Sequence, residues 1–125
     1  MSGTLKEIVF DCREAAPLAR FWAAVLTGYA VRAYDEAEIA RLAALGLTPA
    51  TDPTVMVDGP GPTLCFQEID RRRDQGRIHL DVLVADRTAE RARLLGLGAT
   101  VEREAEGYTV MADPERNLFC IVEGG

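Results

Sequence analysis

The sequence predicts an α+β fold: two βαβββ modules forming a cup-shaped, mostly antiparallel sheet with the helices on the outside. Two internal correspondences predict it, and a repeat of this kind decides architecture before any single residue does. Residues 55–66, "VMVDGPGPTLCF", align with residues 110–121, "VMADPERNLFCI", at an offset of 55. Val55 then falls on Val110, Met56 on Met111, Asp58 on Asp113 and Cys65 on Cys120. Both segments read as strand, turn, strand, with an Asp-Gly-Pro or Asp-Pro turn between apolar runs. Upstream of them, "EIVFDCREAAPLARFWAAVLTGYAV" and "HLDVLVADRTAERARLLGLGATV" each run strand, helix, glycine, strand.

The elements follow in order. In the first helix Leu18, Phe21, Trp22, Val25 and Leu26 recur at helical spacing and stop at Gly28. In the second, Ala92, Leu94, Leu95 and Leu97 lead to Gly98. A glycine just past a periodic run is a helix stop signal. The first copy carries an extra piece, "DEAEIARLAALG" at 35–46, which reads as a short amphipathic helix. Its Ile39, Leu42 and Leu45 fall on one side and suit cover for the core or a subunit contact. A single domain is expected over 1–125, with module one at about 5–69, a polar linker at about 70–77 and module two at about 78–123. Each module alone has too little core, and pairing two of them supplies it.

Composition narrows the function classes. A chain of 125 residues with 48% hydrophobic content is of ordinary globular make-up. Its net charge of −6 argues against non-specific nucleic-acid or anionic-membrane binding. No apolar window reaches membrane-spanning length, and "MSGTLKEIVFD" lacks the apolar stretch of an export signal. Three cysteines, Cys12, Cys65 and Cys120, are too few and too scattered for a disulfide framework. They point to a reducing, cytoplasmic setting.

Strand alternation separates core from cleft. Ile8, Phe10 and Cys12 share one face of the first strand, against Glu7, Val9 and Asp11. Leu80, Val82 and Val84 stand against His79, Asp81 and Leu83. In the closing strands Leu64 and Phe66 oppose Cys65 and Gln67, while Phe119 and Ile121 oppose Leu118, Cys120 and Val122. The apolar sets belong under the helices. The remaining sets define a cleft lined by Val9, Gln67, Leu83, Leu118 and Val122, into which Glu7, Asp11, His79 and Asp81 bring ionisable groups.

The chain resembles the vicinal-oxygen-chelate superfamily, the glyoxalase, bleomycin-resistance and extradiol-dioxygenase group, and within it the glyoxalase-like branch. "FW" followed by "LTGY", "HLDVLVAD" opening the second half, and "ADPERNLFCIV" at the end carry the resemblance. Arg116 stands where the family's closing turn usually has glycine. The resemblance implies a homodimer and a small-molecule ligand. It also implies metal ligands on the first and last strands of each module, which here are Glu7, Cys65, His79 and Cys120.

Two thiols at closing-strand positions remove hard oxygen ligands, so the usual octahedral site for Ni²⁺, Mn²⁺ or Fe²⁺ gives way to a zinc-type set. The alternative is that no metal binds: the cysteines are small buried hydrophobes. His79 then hydrogen-bonds to a carboxylate, and His79, Asp81 and Asp11 are the candidate acid-base groups. Two functions stay open. One is an enzyme, a lyase or isomerase or a related activity, on a small oxygenated or carbonyl compound. The other is a binding protein that sequesters a small molecule such as an antibiotic.

Other features read as structure. Trp22 continues the apolar stripe of its helix and belongs to the core. Arg71, Arg72, Arg73 and Arg77 read as a solvated linker, with reception of an anion as the alternative. Tyr108, beside the second "VM" strand, is given no role.

Overall fold

The computed structural model describes residues 2–70 and 77–124. Arg71, Arg72 and Arg73, and most of the expected linker, lie outside the described residues. The order of elements is β1 (Thr4–Cys12), α1 (Ala15–Val25), β2 (Ala30–Val31), α2 (Glu36–Ala44), β3 (Thr54–Asp58), β4 (Thr63–Glu68), β5 (Ile78–Val84), α3 (Arg87–Gly96), β6 (Thr100–Ala105), β7 (Tyr108–Ala112) and β8 (Leu118–Glu123). This is the α+β fold of two βαβββ modules, with α2 inserted in the first. The chain groups into two compact units: residues 9–77, and residues 1–8 with 78–125.

In the 9–77 unit, β2 pairs antiparallel with β3, and β3 with β4. Strand register sets Val55 opposite Phe66 and Val57 opposite Leu64, and all four are buried. Phe10 stacks on Phe66 with ring centroids 4.9 Å apart and meets Trp22 of α1 at 5.9 Å. Trp22 is therefore a packing residue.

The apolar stripe of α1 differs from the one read in the sequence. Ala15, Ala16 and Ala19 are buried, whereas Phe21 is 57% exposed and Val25 53%. Alanines bring the helix backbone close to the strands, and that close approach leaves Phe21 and Val25 on the outer side. Glu14 makes no side-chain cap, but Glu68 at the end of β4 accepts a hydrogen bond from Ala15 N (2.9 Å) and serves the orphan donor.

α2 is capped by Asp35, whose carboxylate accepts from Glu38 N (2.8 Å). Only Leu42 of its apolar side is fully buried, while Ile39 and Leu45 stay exposed. The β3–β4 turn is tied by Tyr29, whose hydroxyl donates to Pro62 O (2.9 Å). A Cβ on Gly59 would run into the Tyr29 ring, so only glycine lets the ring lie on this turn.

In the other unit β5 and β8 run parallel, and β8 pairs antiparallel with β7, as β7 does with β6. The β6–β7 ladder is irregular between Val101 and Arg103. Val84, Met111 and Ile121 form the buried centre, with Val82, Leu94, Ala99, Val101 and Phe119 packed around it. Of these, Val82, Val84, Phe119 and Ile121 were assigned to the helix face by alternation; Leu80, assigned with them, is exposed. α3 starts at Asp86, which accepts from Ala89 N (3.1 Å).

The turn between β7 and β8 explains how arginine replaces the expected glycine. Arg116 adopts φ = 72°, in the left-handed region. Asp113 holds the turn around it, accepting from Glu115 N and Asn117 N (both 2.8 Å) and from Asn117 Nδ2 (2.9 Å). The same contacts hold the Asp113 carboxyl below its usual range, led by the Asn117 side chain. Arg116→Gly removes the steric cost of this φ and is expected to stabilise the protein by about 0.5–1 kcal/mol. Denaturant unfolding reads the difference directly.

Candidate metal and small-molecule centre

The centre lies wholly in the unit built from residues 1–8 and 78–125. Parallel register places Asp81 of β5 beside Cys120 of β8. His79 follows two residues earlier on the same face of β5, because side chains alternate along a strand. The imidazole, carboxylate and thiol donor atoms of His79, Asp81 and Cys120 lie within 4.8 Å of one another. His79 Nε2 and Asp81 Oδ1 are 3.3 Å apart, with only 17% and 15% of their side-chain surfaces exposed.

Electrostatics follow from this crowding. Asp81 and then Cys120, both hydrogen-bonded to the imidazole, outweigh burial and raise His79 to about 10. Burial is the largest influence on Asp81 and pulls its carboxyl upward. Hydrogen bonds from His79 and Glu7, with the charges of His79 and Lys6, more than offset it and leave Asp81 below its usual range. Glu7 is itself only 7% exposed. A histidine, two carboxyls and a thiol thus form one connected polar group.

The remaining residues expected at a site divide between the two units. Leu83 pairs with Val122 two rungs beyond Asp81 and Cys120, and Leu118 lies two residues before Cys120 on its strand. These three put apolar surface beside the polar group. Val9, Asp11, Cys65 and Gln67 belong to the 9–77 unit. There Asp11 Oδ1 accepts from Gln67 Nε2 (2.8 Å), while Val9 and Cys65 are buried at 2% and 3% exposure. Cys12, also buried, donates to Gln67 O (3.5 Å), and burial followed by Glu68 and Asp11 pushes its thiol up, away from reactivity.

Asp81 is the donor that sequence reasoning placed among acid-base groups and not among metal ligands. Its nearness to Cys120 depends on the β5–β8 register. The matched repeat positions Cys65 and Cys120 gave no hint of that register.

The donor chemistry fits a zinc-type ion. Ligand atoms about 2.0–2.3 Å from a tetrahedral zinc stand roughly 3.5 Å apart, close to the His79–Asp81 separation. The thiol does not suit the hard, octahedral ions that oxygen-rich sites select.

His79 also makes stability depend on pH. Its value in the folded protein, about 10, exceeds the ordinary 6.5. Below 6.5 the imidazole is charged whether folded or unfolded, and its pairing contributes in full. As pH rises from 6.5 through 10 the unfolded chain loses this proton first, so the contribution fades. In chelator, the urea midpoint is expected to fall across that window, and His79→Gln is expected to flatten the slope.

Comparison with known proteins agrees with the fold. A family profile described as "Glyoxalase-like domain" matches residues 7–122. No curated protein matches the chain. A glyoxalase/bleomycin resistance protein/dioxygenase superfamily member from Vibrio splendidus 12B01 is similar in structure, with a TM-score of 0.57 and 14% identity over 97% of this chain and 100% of that one. An uncharacterized protein from Methanosarcina mazei gives 0.49 at 9% identity, covering 98% of this chain and 94% of that one. A genomically encoded fosfomycin resistance protein from Listeria monocytogenes gives 0.35 at 14% identity, covering 100% and 94%. The last two superpositions are too loose to inform the site. Among the described residues no helix is long and apolar enough to cross a membrane. With the family profile spanning nearly its whole length, the chain belongs to the glyoxalase-like domain family.

Proposed function

We propose that the protein binds a small oxygenated or carbonyl compound at the His79–Asp81–Cys120 centre, with one zinc ion held by these three side chains. The observation that carries this reading is the meeting of nitrogen, oxygen and sulfur donors within 4.8 Å on neighbouring strands. Three protein ligands leave one position of a tetrahedral ion open, the pattern of catalytic rather than structural zinc. Zinc in such a place polarises a carbonyl or lowers the pKa of water.

The chain's own residues supply the rest. Glu7, beside the Asp81 carboxyl, orients that group and is the acid-base candidate within one hydrogen bond of the centre. Leu83, Leu118 and Val122 provide apolar contact for the body of the ligand. An isomerase or lyase step on a carbonyl compound needs such a proton donor and acceptor. Sequestration without turnover needs only the apolar contacts and the open position.

Metal analysis of protein purified without a histidine tag or chelator tests the reading. About one zinc per chain is expected. Protein that stays metal-free after incubation with Zn²⁺, Ni²⁺, Mn²⁺ and Fe²⁺ would sink the ligand set.

A further inference from the structure

The 9–77 unit contains a cavity of about 390 Å³ between the β2–α2 connection, α2 and β3. That volume is within the usual range of small-molecule sites, roughly 300–1,000 Å³. None of its lining residues belongs to the His79 centre, and the inference here is independent of the zinc reading.

One wall is an acceptor. Asp52 is 4% exposed, and its carboxylate takes one hydrogen bond from Tyr34 Oη to Oδ2 (2.8 Å) and one from Thr54 N to Oδ1 (3.0 Å). A carboxylate has about four acceptor positions, so two neutral donors leave half of its capacity. Among the described residues no arginine or lysine forms a salt bridge with it. Burial first, then the hydrogen bond to Asp52, raise the Tyr34 hydroxyl far above its ordinary range, so it remains a donor at all working pH values.

The other wall is a donor. Arg41 grips Glu38 side-on through Nε (3.1 Å) and Nη2 (2.6 Å). That uses two of the five N–H groups of a guanidinium. Arg32 contributes a second guanidinium, forked onto Asp58 at 2.7 and 2.8 Å. Met56 adds apolar surface.

The charge balance selects the ligand. Asp35, Glu38 and Asp52 set three carboxylates against the guanidiniums of Arg32 and Arg41. A simple anion meets a net negative lining, and a simple cation meets two arginines. A molecule carrying both an ammonium and a carboxylate satisfies both walls. The geometry points to this cavity as a binding site for a free amino acid with an apolar side chain, its ammonium on Asp52, its carboxylate on Arg41 and its side chain against Met56.

The test is calorimetric titration of the full chain with leucine, N-acetylleucine and leucinamide. Leucine is expected to bind saturably, and each blocked form about tenfold more weakly or worse, since each loses one charged hydrogen-bonded contact. Arg41→Ala, on an exposed helix face where the fold does not depend on it, is expected to weaken leucine about tenfold. Asp52→Asn is expected to weaken leucine while leaving leucine and N-acetylleucine closer in affinity. Absence of saturable leucine binding at millimolar concentration overturns the inference. So does equal binding of the free and blocked forms, or an Arg41→Ala protein that binds leucine as the parent does.

Discussion

Zinc affinity of the His79→Ala protein is expected to fall by about a hundredfold or more, while the fold persists. Losing even an outer-shell partner of a metal ligand typically costs about 10- to 100-fold, and His79 is a direct ligand in the proposed set. The fold should survive because the buried centre of this unit is Val84, Met111 and Ile121, on the opposite face of the strands. Removing the imidazole also leaves Asp81 without its hydrogen-bonding partner from His79, so the remaining carboxylate and thiol repel each other more when both are ionised. Competition with a chromophoric chelator measures the affinity, and circular dichroism checks the fold. An unchanged affinity would place the metal elsewhere.

Phe66→Ala is expected to destabilise the protein by about 3–5 kcal/mol, the cost of an emptied aromatic site in a packed core. Phe66 is fully buried, stacks on Phe10 and stands opposite Val55. The neighbouring strands are fixed by their ladder and cannot collapse into the gap. Small domains hold only about 5–15 kcal/mol in all, so this single change uses a large share of the total. Urea unfolding reads it as a lower midpoint with little change in slope. A loss under about 1 kcal/mol would mean that the Phe10–Phe66–Trp22 cluster is not the core of its unit.

The order of elements was legible because two pairs of segments in the sequence carry similar strand, turn and helix signals. "VMVDGPGPTLCF" and "VMADPERNLFCI" did become β3–β4 and β7–β8, and alternation sorted Val82, Val84, Phe119 and Ile121 to the packed face. Periodicity misjudged α1, because it weights large side chains, whereas a helix that packs through Ala15, Ala16 and Ala19 exposes Phe21 and Val25. His79 was found as the single histidine on a polar face.

The pairing of Asp81 with Cys120 was not legible. It rests on the parallel register of strands that lie far apart in sequence, and nothing local encodes it. The cavity beside α2 was hidden for a related reason. Asp52 meets Tyr34 across a long stretch of chain, after a turn in which Thr51 Oγ1 accepts from Thr48 N (2.8 Å).

The electronic spectrum of the cobalt-loaded protein tests the central claim most directly. Cobalt takes the place of zinc in N, O and S sites and reports its ligands. A sulfur-to-cobalt charge-transfer band in the near ultraviolet, with the intense visible bands of a four-coordinate ion, is expected for the parent. The charge-transfer band should vanish in Cys120→Ser. A pale, six-coordinate spectrum without the sulfur band, or a sulfur band that survives Cys120→Ser, would contradict a centre built from His79, Asp81 and Cys120.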